Sequence, residues 1–460
     1  MNQSLFSQYF KDKKVTKMGL GPNGRSFGDI VFLLQEGAHV LVTDHRDEPD
    51  IQTSKSNLLK QLSKEEKERV SFVLGEHRTQ DFIDCDYVLK ASGVPLDSEY
   101  IQAALAAGVP VHTSSAWLFQ LVHDLLDVTT VGVTGTKGKS TTTDMIEHIL
   151  KENNKSYHVA GNIRGVANLP VLNEIESGDI LLAELDSWQL QGFGDAKVSP
   201  HIGVFTNFFE DHLNYYGGSM ELYFNDKAQI YRNQKDLDIC FVGKQAFAEI
   251  VTYEGVAPEN IEDISVSVLP QDLELNVLGD HNRENAAFAY VVAQQIGLMK
   301  SDILPALESY RALEGRLRFT GERDGIYYYD DNNSTTPTST IKSLQAIKVK
   351  YPGSRIIWFG GGADKESDYS VLISELSNLV YGGVLFAGTA TDKIVEGLNE
   401  NLRDTLRVVS SMDEAWKHVE DIKQQGDVII LSPGAASFGV FLNEYERGDQ
   451  FNSYIKKLLN

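Results

Sequence analysis

The chain has 460 residues and carries 65 acidic against 42 basic side chains, a formal charge of −23 with His neutral. At roughly 150 residues per domain that length suggests about three domains with buried cores, which excludes a peptide hormone, a coiled-coil rod and a collagen. The acidic balance, without any long Lys/Arg block, argues against a nucleic-acid partner. Only Cys85 and Cys240 occur, in neither a CxxC nor a Cys/His metal pattern, so no disulfide framework or zinc site is indicated and a reducing cytoplasm fits. Residues 1–14 lack an apolar signal region and no stretch reaches the ~18 apolar residues of a membrane span, so the expectation is a cytoplasmic protein without a membrane partner.

Short β-branched runs alternate with longer amphipathic segments, the pattern of α/β domains with mostly parallel sheets. Lys14–Gly19 reads as a strand, Ser26–Glu36 as a helix and His39–Thr43 as a second strand; Tyr87–Ala91 repeats the strand pattern. Between the first strand and helix stands Gly19-Leu20-Gly21-Pro22-Asn23-Gly24, a literal GxGxxG, with Asp44 ending the second strand. Such glycines let backbone amides approach a phosphate at a helix N-terminus, and an acid accepts from a sugar hydroxyl or a base N–H. Taken alone the motif reads as a dinucleotide site, and a UDP-sugar suits it equally well.

After a break near His112–Ser115, the strand Val128–Val133 runs into Gly135-Thr136-Lys137-Gly138-Lys139-Ser140-Thr141-Thr142-Thr143 and a helix. This is the place of a phosphate-binding loop. Backbone N–H groups cradle phosphates, Lys139 reaches the terminal ones, and the hydroxyl of Ser140 or Thr141 can bind Mg²⁺. The strict GxxxxGK[ST] spacing is missed by one, because position 133 is Val and Gly132 lies one residue too early. Leu182–Leu190 then ends a strand with Glu184 and Asp186, and Thr206–His212 ends another with Glu210, Asp211 and His212. In a parallel sheet both strand ends lie beside the phosphate loop, where hard oxygen ligands and an imidazole could hold Mg²⁺. A further shift near Arg311–Arg318 opens a third domain with strands at Gly325–Asp330, Arg355–Phe359, Gly383–Ala387 and Asp427–Leu431. The expected domains are 1–112, 113–312 and 313–460: two Rossmann-like ends around a P-loop-type centre.

The succession GTKGKSTTT, AELDSWQL, TNFFEDHLNYY, YFNDKAQIY, LGDHNRENAAFA, EGRLRF, YYYDDNNSTTPTST, FGGGADKESDY and LSPGAASFGVF resembles the Mur ligases of peptidoglycan synthesis, in order along essentially the whole chain. Within that family the ELxSxQL-like strand, the GGxxxKxxD-like loop and SPxxASF are similar to the branch that adds D-glutamate to UDP-N-acetylmuramoyl-L-alanine. The resemblance implies that ATP phosphorylates the acceptor's terminal carboxylate and that the incoming amine attacks this acyl phosphate through a tetrahedral intermediate. It implies a role in cell-wall biogenesis, and so in cell shape and division, and a monomer that binds UDP-substrate, ATP and amino acid in its first, second and third domains.

The same resemblance implies roles residue by residue. Lys139 with Gly135, Thr136 and Gly138 holds the β- and γ-phosphates; Ser140, Thr141 and Glu184 surround one Mg²⁺ and His212 binds a second. Lys227 matches a lysine that the family carbamylates, which turns an ammonium that repels Mg²⁺ into an anionic oxygen ligand. Asn162 lies close to the transferred phosphate, Asn282 near adenine, and Arg316 and Asp331 at phosphate and ribose. Gly21, Asp44 and Arg46 surround the uridine nucleotide, so the GxGxxG reads as a UDP site, and Thr335, Lys365, Ser437 and Phe438 hold the amino-acid substrate's carboxylates. The chain departs from the branch at Lys137 (usually Asn), Asp186 and Trp188 (Ser and Phe), Arg164 (Gly), Gly315 (His) and Asn333 (Lys). Replacing that last cation with an amide removes charge complementarity for a dicarboxylate. The alternative is therefore a ligase that adds L-glutamate or another amino acid, or acts on a different carboxylate.

Overall fold

The computed structural model describes residues 5–21, 27–95, 97–163 and 165–459. Gly24 of the first glycine motif, Ser26 and Arg164 lie outside them. By its contacts the chain forms two compact units, Met1–Pro270 with Asn285–Ile303 and Gln271–Glu284 with Leu304–Asn460.

The first unit holds two all-parallel sheets. One orders its strands β3-β2-β1-β4-β5, from β1 (Lys14–Met18), β2 (His39–Asp44), β3 (Val70–Leu74), β4 (Tyr87–Lys90) and β5 (Val111–His112). Val15, Val40, Val42, Val88 and Leu89 are buried, as strands covered on both faces require. The chain runs outward from β1 to β3 and then returns to β4, so strand order reverses between β1 and β4. In parallel α/β sheets such a reversal is where ligands bind, outside the C-terminal strand ends.

The second sheet has the order β11-β10-β9-β6-β8-β7, from β6 (Thr129–Thr134), β7 (Tyr157–Gly161), β8 (Ile180–Glu184), β9 (Ile202–Phe205), β10 (Ile239–Gly243) and β11 (Ile261–Ile264). β8 and β9 pair with β6 on either side, in the registers Val133↔Glu184 and Thr134↔Phe205. One hydrophobic core, from Phe6 through Trp117 and Phe119 to Ile250, runs through this unit.

In the second unit the order is β12-β13-β17-β14-β15-β16, from β12 (Arg318–Arg323), β13 (Ile326–Asp330), β14 (Ile356–Gly361), β15 (Gly382–Phe386), β16 (Leu406–Val409) and β17 (Val428–Leu431). All neighbours are parallel except β12, which pairs antiparallel with β13 across an irregular register at Phe319/Gly321. That edge hairpin escapes the sequence reading because its residues are half exposed and carry no apolar run. Cores on both faces, around Trp358 and Trp416, enclose the sheet.

Candidate active site

The phosphate loop leaves β6 at its C-terminal end and enters the helix Lys139–Glu152. Gly138 begins that helix at φ 86°, and a Cβ there would stand 2.6 Å from Asn285 Oδ1; at Gly135 a Cβ would collide with Thr206 Oγ1. Both glycines are thus required by close packing as well as by backbone conformation. The segment after β9 straps the loop down. Thr136 N donates to Asn207 O at 2.8 Å, Lys137 N donates to Asn207 Oδ1 at 2.8 Å, and Phe209 N donates to Thr136 Oγ1 at 2.9 Å.

Two ammonium groups meet on this loop. Lys139 Nζ donates to the carbonyls of Gly135 and Thr136 at 3.0 and 3.1 Å. Lys227 ends the helix Met220–Lys227, is 1% exposed, and donates to Gly135 O at 2.8 Å and Thr134 Oγ1 at 3.2 Å. Burial, and then the neighbouring Lys139, push its pKa well below the usual lysine value. Burial also lowers Lys139, against the attraction of Glu184 and Asp186. Two cations sharing one carbonyl oxygen have too little negative charge around them, a deficit that an anionic ligand or neutralisation of one amine removes.

Around the loop, Glu184 closes β8, and its carbonyl accepts from Asn162 N at 2.7 Å, which holds exposed Asn162 directly after β7. Asp186 caps the helix Ser187–Ala196 in a capping box with Gln189, so its carboxylate already serves a backbone N–H. His212 is exposed at φ 54°, with its ring centroid 4.9 Å from that of Trp188. Partial desolvation of the ring against the protein, with Lys139 and Lys227 nearby, lowers its pKa despite Asp211, which favours the neutral imidazole a metal needs. Lys137 Nζ lies 3.5 Å from Asp211 Oδ2. Ser140 is half-buried and Thr141 buried at the start of the loop's helix.

In the first sheet, Asp44 is buried at the end of β2. Its Oδ2 accepts from Leu20 N at 3.1 Å and Gly21 N at 3.4 Å, and both its oxygens accept from the Arg46 guanidinium at 3.0 and 3.1 Å. Burial opposes ionisation here, but Arg46 and the backbone donors outweigh it and hold the carboxyl at about 2. Asp44 and Arg46 thus meet as one forked pair beside Gly21.

In the second unit the ends of β13, β14 and β17 converge. Lys365 Nζ donates to Thr335 Oγ1 at 3.3 Å, Ala363 bridges Ala436, and Gly434 N donates to Ser334 O at 2.8 Å. Ser437 is buried in this cluster and Phe438 is 59% exposed. Asp331 is buried, accepts from Leu317 N at 3.0 Å and Ser432 Oγ at 2.7 Å, and is pushed up by burial to about 6. Arg316 stands exposed nearby and attracts it electrostatically. Asn282, also buried, donates to Leu278 O at 2.7 Å. The Gly315 and Asn333 departures prove to be one feature. Gly315 has φ 73°, and a Cβ on it would lie 2.9 Å from Asn333 Nδ2, so a larger residue at 315 would displace the Asn333 amide.

Sequence reasoning missed three buried cations: Lys17 and Lys90 at the ends of β1 and β4, and Arg447, whose guanidinium donates to Asn332 Oδ1, Asn332 O and Ala435 O. The available signal was a lysine inside each of two strand patterns, VTKM and YVLK.

Comparison with known proteins matches residues 13–113 to the MurD-like N-terminal domain of Mur ligases, 133–261 to the Mur ligase middle domain and 315–434 to the Mur ligase glutamate ligase domain. A Roseiflexus sp. (strain RS-1) protein described as UDP-N-acetylmuramoylalanine–D-glutamate ligase is 32% identical over 96% of this chain and 98% of its own. A Borreliella burgdorferi (strain ZS7) protein of the same description is 29% identical, over 96% and 97%. Among solved structures, the UDP-N-acetylmuramate-alanine ligase MurC of Thermotoga maritima shares the fold, with a TM-score of 0.59 at 19% identity over 97% of this chain and 100% of that one. With near full-length identity above 30% and all three domain types matched in order, the chain belongs to the Mur ligase family of ATP-dependent amide ligases.

Proposed function

We propose that this chain joins D-glutamate to UDP-N-acetylmuramoyl-L-alanine at the expense of ATP, the activity stated in the names of its Roseiflexus and Borreliella relatives. The supporting observation is the phosphate loop on which Lys139 and Lys227 share the Gly135 carbonyl, between Glu184 on one flanking strand and His212 beyond the other. A nucleotide's terminal phosphates supply the negative charge those ammonium groups lack. In the proposed reaction an acceptor carboxylate oxygen attacks the γ-phosphorus and ADP leaves. The amine nitrogen of the amino acid then attacks the acyl carbon, loses a proton and expels phosphate, which leaves the amide.

In this reading Lys139 and the amides of Gly135, Thr136 and Gly138 hold the phosphates, with Asn162 beside the one transferred. Asn282, Arg316 and Asp331 serve the rest of ATP. Gly21, Asp44 and Arg46 bind the uridine nucleotide, and Thr335, Lys365, Ser437 and Phe438 the amino acid. Ser140, Thr141, Glu184 and His212 suit Mg²⁺ in two sites, as hydroxyl, carboxylate and neutral imidazole donors. Among the described residues no group of three or more His, Cys, Asp or Glu could hold a metal alone. When bound, Mg²⁺ would neutralise charge on the transferring phosphoryl group. Lys227 joins that set only as a carbamate, formed when its neutral amine adds to CO₂ and releases a proton. Its buried, pKa-lowered amine favours this chemistry. The domain limits 1–112, 113–312 and 313–460, a monomeric state, a cytoplasmic location and the absence of a nucleic-acid partner belong to the same proposal. No helix among the described residues is long and apolar enough to cross a membrane.

One observation favours a second reading, in which L-glutamate or another amino acid is added. At the proposed amino-acid site Asn333 supplies an amide, packed over Gly315, where a cation would complement a dicarboxylate. Phosphate release from ATP and Mg²⁺ with UDP-N-acetylmuramoyl-L-alanine, in the presence of D-glutamate, L-glutamate, other amino acids or none, tests both, with product mass as the check. Release with D-glutamate alone supports the main reading and release with another amino acid the second. Absence of release throughout, or unchanged turnover in Lys139→Ala, overturns the assignment.

A further inference from the structure

Asn168 stands where an asparagine ordinarily caps a helix, directly before the short helix Leu169–Asn173, but its side chain makes no capping bond there. The first N–H of that helix goes instead to Asp29, 140 residues away on the helix Phe27–Gln35, whose Oδ1 accepts from Leu169 N at 2.9 Å. The Asn168 carboxamide is engaged elsewhere. Its Oδ1 accepts from Gly161 N at 2.7 Å, and its Nδ2 donates at 2.9 Å to Ser114 Oγ, at the start of the helix Ser114–Leu125. Asn168 and Asp29 are both buried. The fit is close as well as polar: a Cβ on Gly28 would lie 2.5 Å from Ala167 Cβ and 3.2 Å from Pro170 Cγ. Burial raises the Asp29 pKa, while Leu169 N–H, Lys17, the Ser114 hydroxyl and Asn168 N–H favour its charged form.

The strand that Asn168 serves is the edge of its sheet. β7 pairs with β8 in the register Gly161↔Glu184 and ends the strand order. A buried edge N–H is costly without an acceptor, and Asn168 Oδ1 supplies one at Gly161. Gly161 has φ 95°, and a Cβ on it would collide with Glu184 O. The next residue is Asn162, exposed, whose N–H donates to that same Glu184 carbonyl at 2.7 Å. Two successive N–H groups are thus tied, one to Asn168 and one to Glu184, which fixes the backbone that carries the Asn162 side chain.

We propose that Asn168 is a positioning residue of the ligase reaction: it holds the Asn162 backbone in the conformation used in phosphoryl transfer, and Asp29 anchors it to the helix that follows the first glycine motif. This role rests on the reading of Asn162 as the residue beside the transferred phosphate. A donor aimed at a moving phosphoryl group stabilises it through geometry set beforehand, because reorientation during the step forfeits the gain. Asn168 therefore acts on turnover, through Asn162, and leaves substrate affinity largely untouched.

A double-mutant cycle separates this from a merely structural role. Asn162→Ala, Asn168→Ala and the two together are compared with wild type by kcat and KM for ATP and UDP-N-acetylmuramoyl-L-alanine in the phosphate-release assay with D-glutamate. Hydrogen–deuterium exchange of β7 and thermal unfolding are measured alongside. The expected result for Asn168→Ala is a kcat at least about ten-fold lower, little change in either KM, and faster exchange at Gly161. The double variant turns over no more slowly than Asn162→Ala alone, because the effect of Asn168 passes through Asn162. Asp29→Asn, which keeps an acceptor for Leu169 N, recovers most of the kcat that Asp29→Ala loses. If Asn168→Ala does not fold, Ser114→Ala, which removes only the partner of Asn168 Nδ2, takes its place in the cycle with a smaller loss in the same direction. Multiplied kcat losses in the double variant, or wild-type kcat in a folded Asn168→Ala whose β7 exchanges faster, overturn the positioning role. Wild-type turnover in Asn162→Ala, or no phosphate release by the wild type, overturns instead the functional reading beneath it.

Discussion

Replacing Asp331 with Asn tests the electrostatics of the second unit directly. The carboxyl is buried at the end of β13's turn, and burial pushes it up to about 6 from an ordinary 3.8. An acid whose pKa is raised on folding binds more protons folded than unfolded between those two values, so it lowers stability as pH rises through that window. About two pKa units at roughly 1.4 kcal/mol each give a destabilisation near 3 kcal/mol above pH 6, and none below the unfolded value. Asn stays neutral and keeps the local bonds. Its Oδ1 accepts from Leu317 N, its Nδ2 donates to Ser432 Oγ, and the Ser432 hydroxyl turns to Thr340 Oγ1, already 3.1 Å away. Imperfect geometry in that rearrangement offsets about 1 kcal/mol, so Asp331→Asn should stabilise the unit by about 1–3 kcal/mol at pH 8 and by almost nothing near pH 4. Trp358 and Trp416 report this unit alone once Trp117 and Trp188 are changed to Phe, and urea unfolding followed by their fluorescence at several pH values gives the difference. A gap that is constant with pH, or a variant less stable at pH 8, refutes the reasoning.

Lys227→Ala should reduce ligase turnover by at least about a thousand-fold, with partial recovery on addition of short carboxylic acids that occupy the vacated site; wild-type turnover in the variant would exclude the carbamate. Gly138→Ala should cost about 1–2 kcal/mol for the left-handed backbone alone and push Asn285 from the loop, raising KM for ATP. Part of that KM should return in the double variant with Asn285→Ala, and additive effects of the two changes would contradict the close contact. Arg447→Met strips donors from Asn332 Oδ1, Asn332 O and Ala435 O in one buried place, and should destabilise the second unit by about 2–5 kcal/mol in the same fluorescence assay. A change below about 0.5 kcal/mol would show those carbonyls are satisfied otherwise.

Local chemistry made much of this protein legible without coordinates. The run from Val128–Val133 into glycines, lysine and hydroxyls marks a phosphate loop because only small residues with positive φ, followed by a helix, aim several N–H groups at one point. Acidic and imidazole residues at the ends of Leu182–Leu190 and Thr206–His212 follow from the same rule, since parallel strands deliver their C-terminal ends to one edge. What the sequence withholds is pairing across distance. Resemblance marks Lys227 in the sequence, but that its amine lies on the Gly135 carbonyl, 92 residues away in the chain, is seen only in the fold. Gly315 and Asn333 read as two independent departures until the backbone folds one beneath the other. Lys17 and Lys90 look like stray charges in apolar strands; only the order β2-β1-β4 sets their strands side by side, because which strand lies beside which is decided by packing of the whole sheet. Sequence therefore determined the elements, the loop chemistry and the family, through short-range patterns each residue carries with it. Tertiary structure alone decided which charges are buried together, because desolvation and Coulombic coupling depend on separation in space and on the surrounding dielectric.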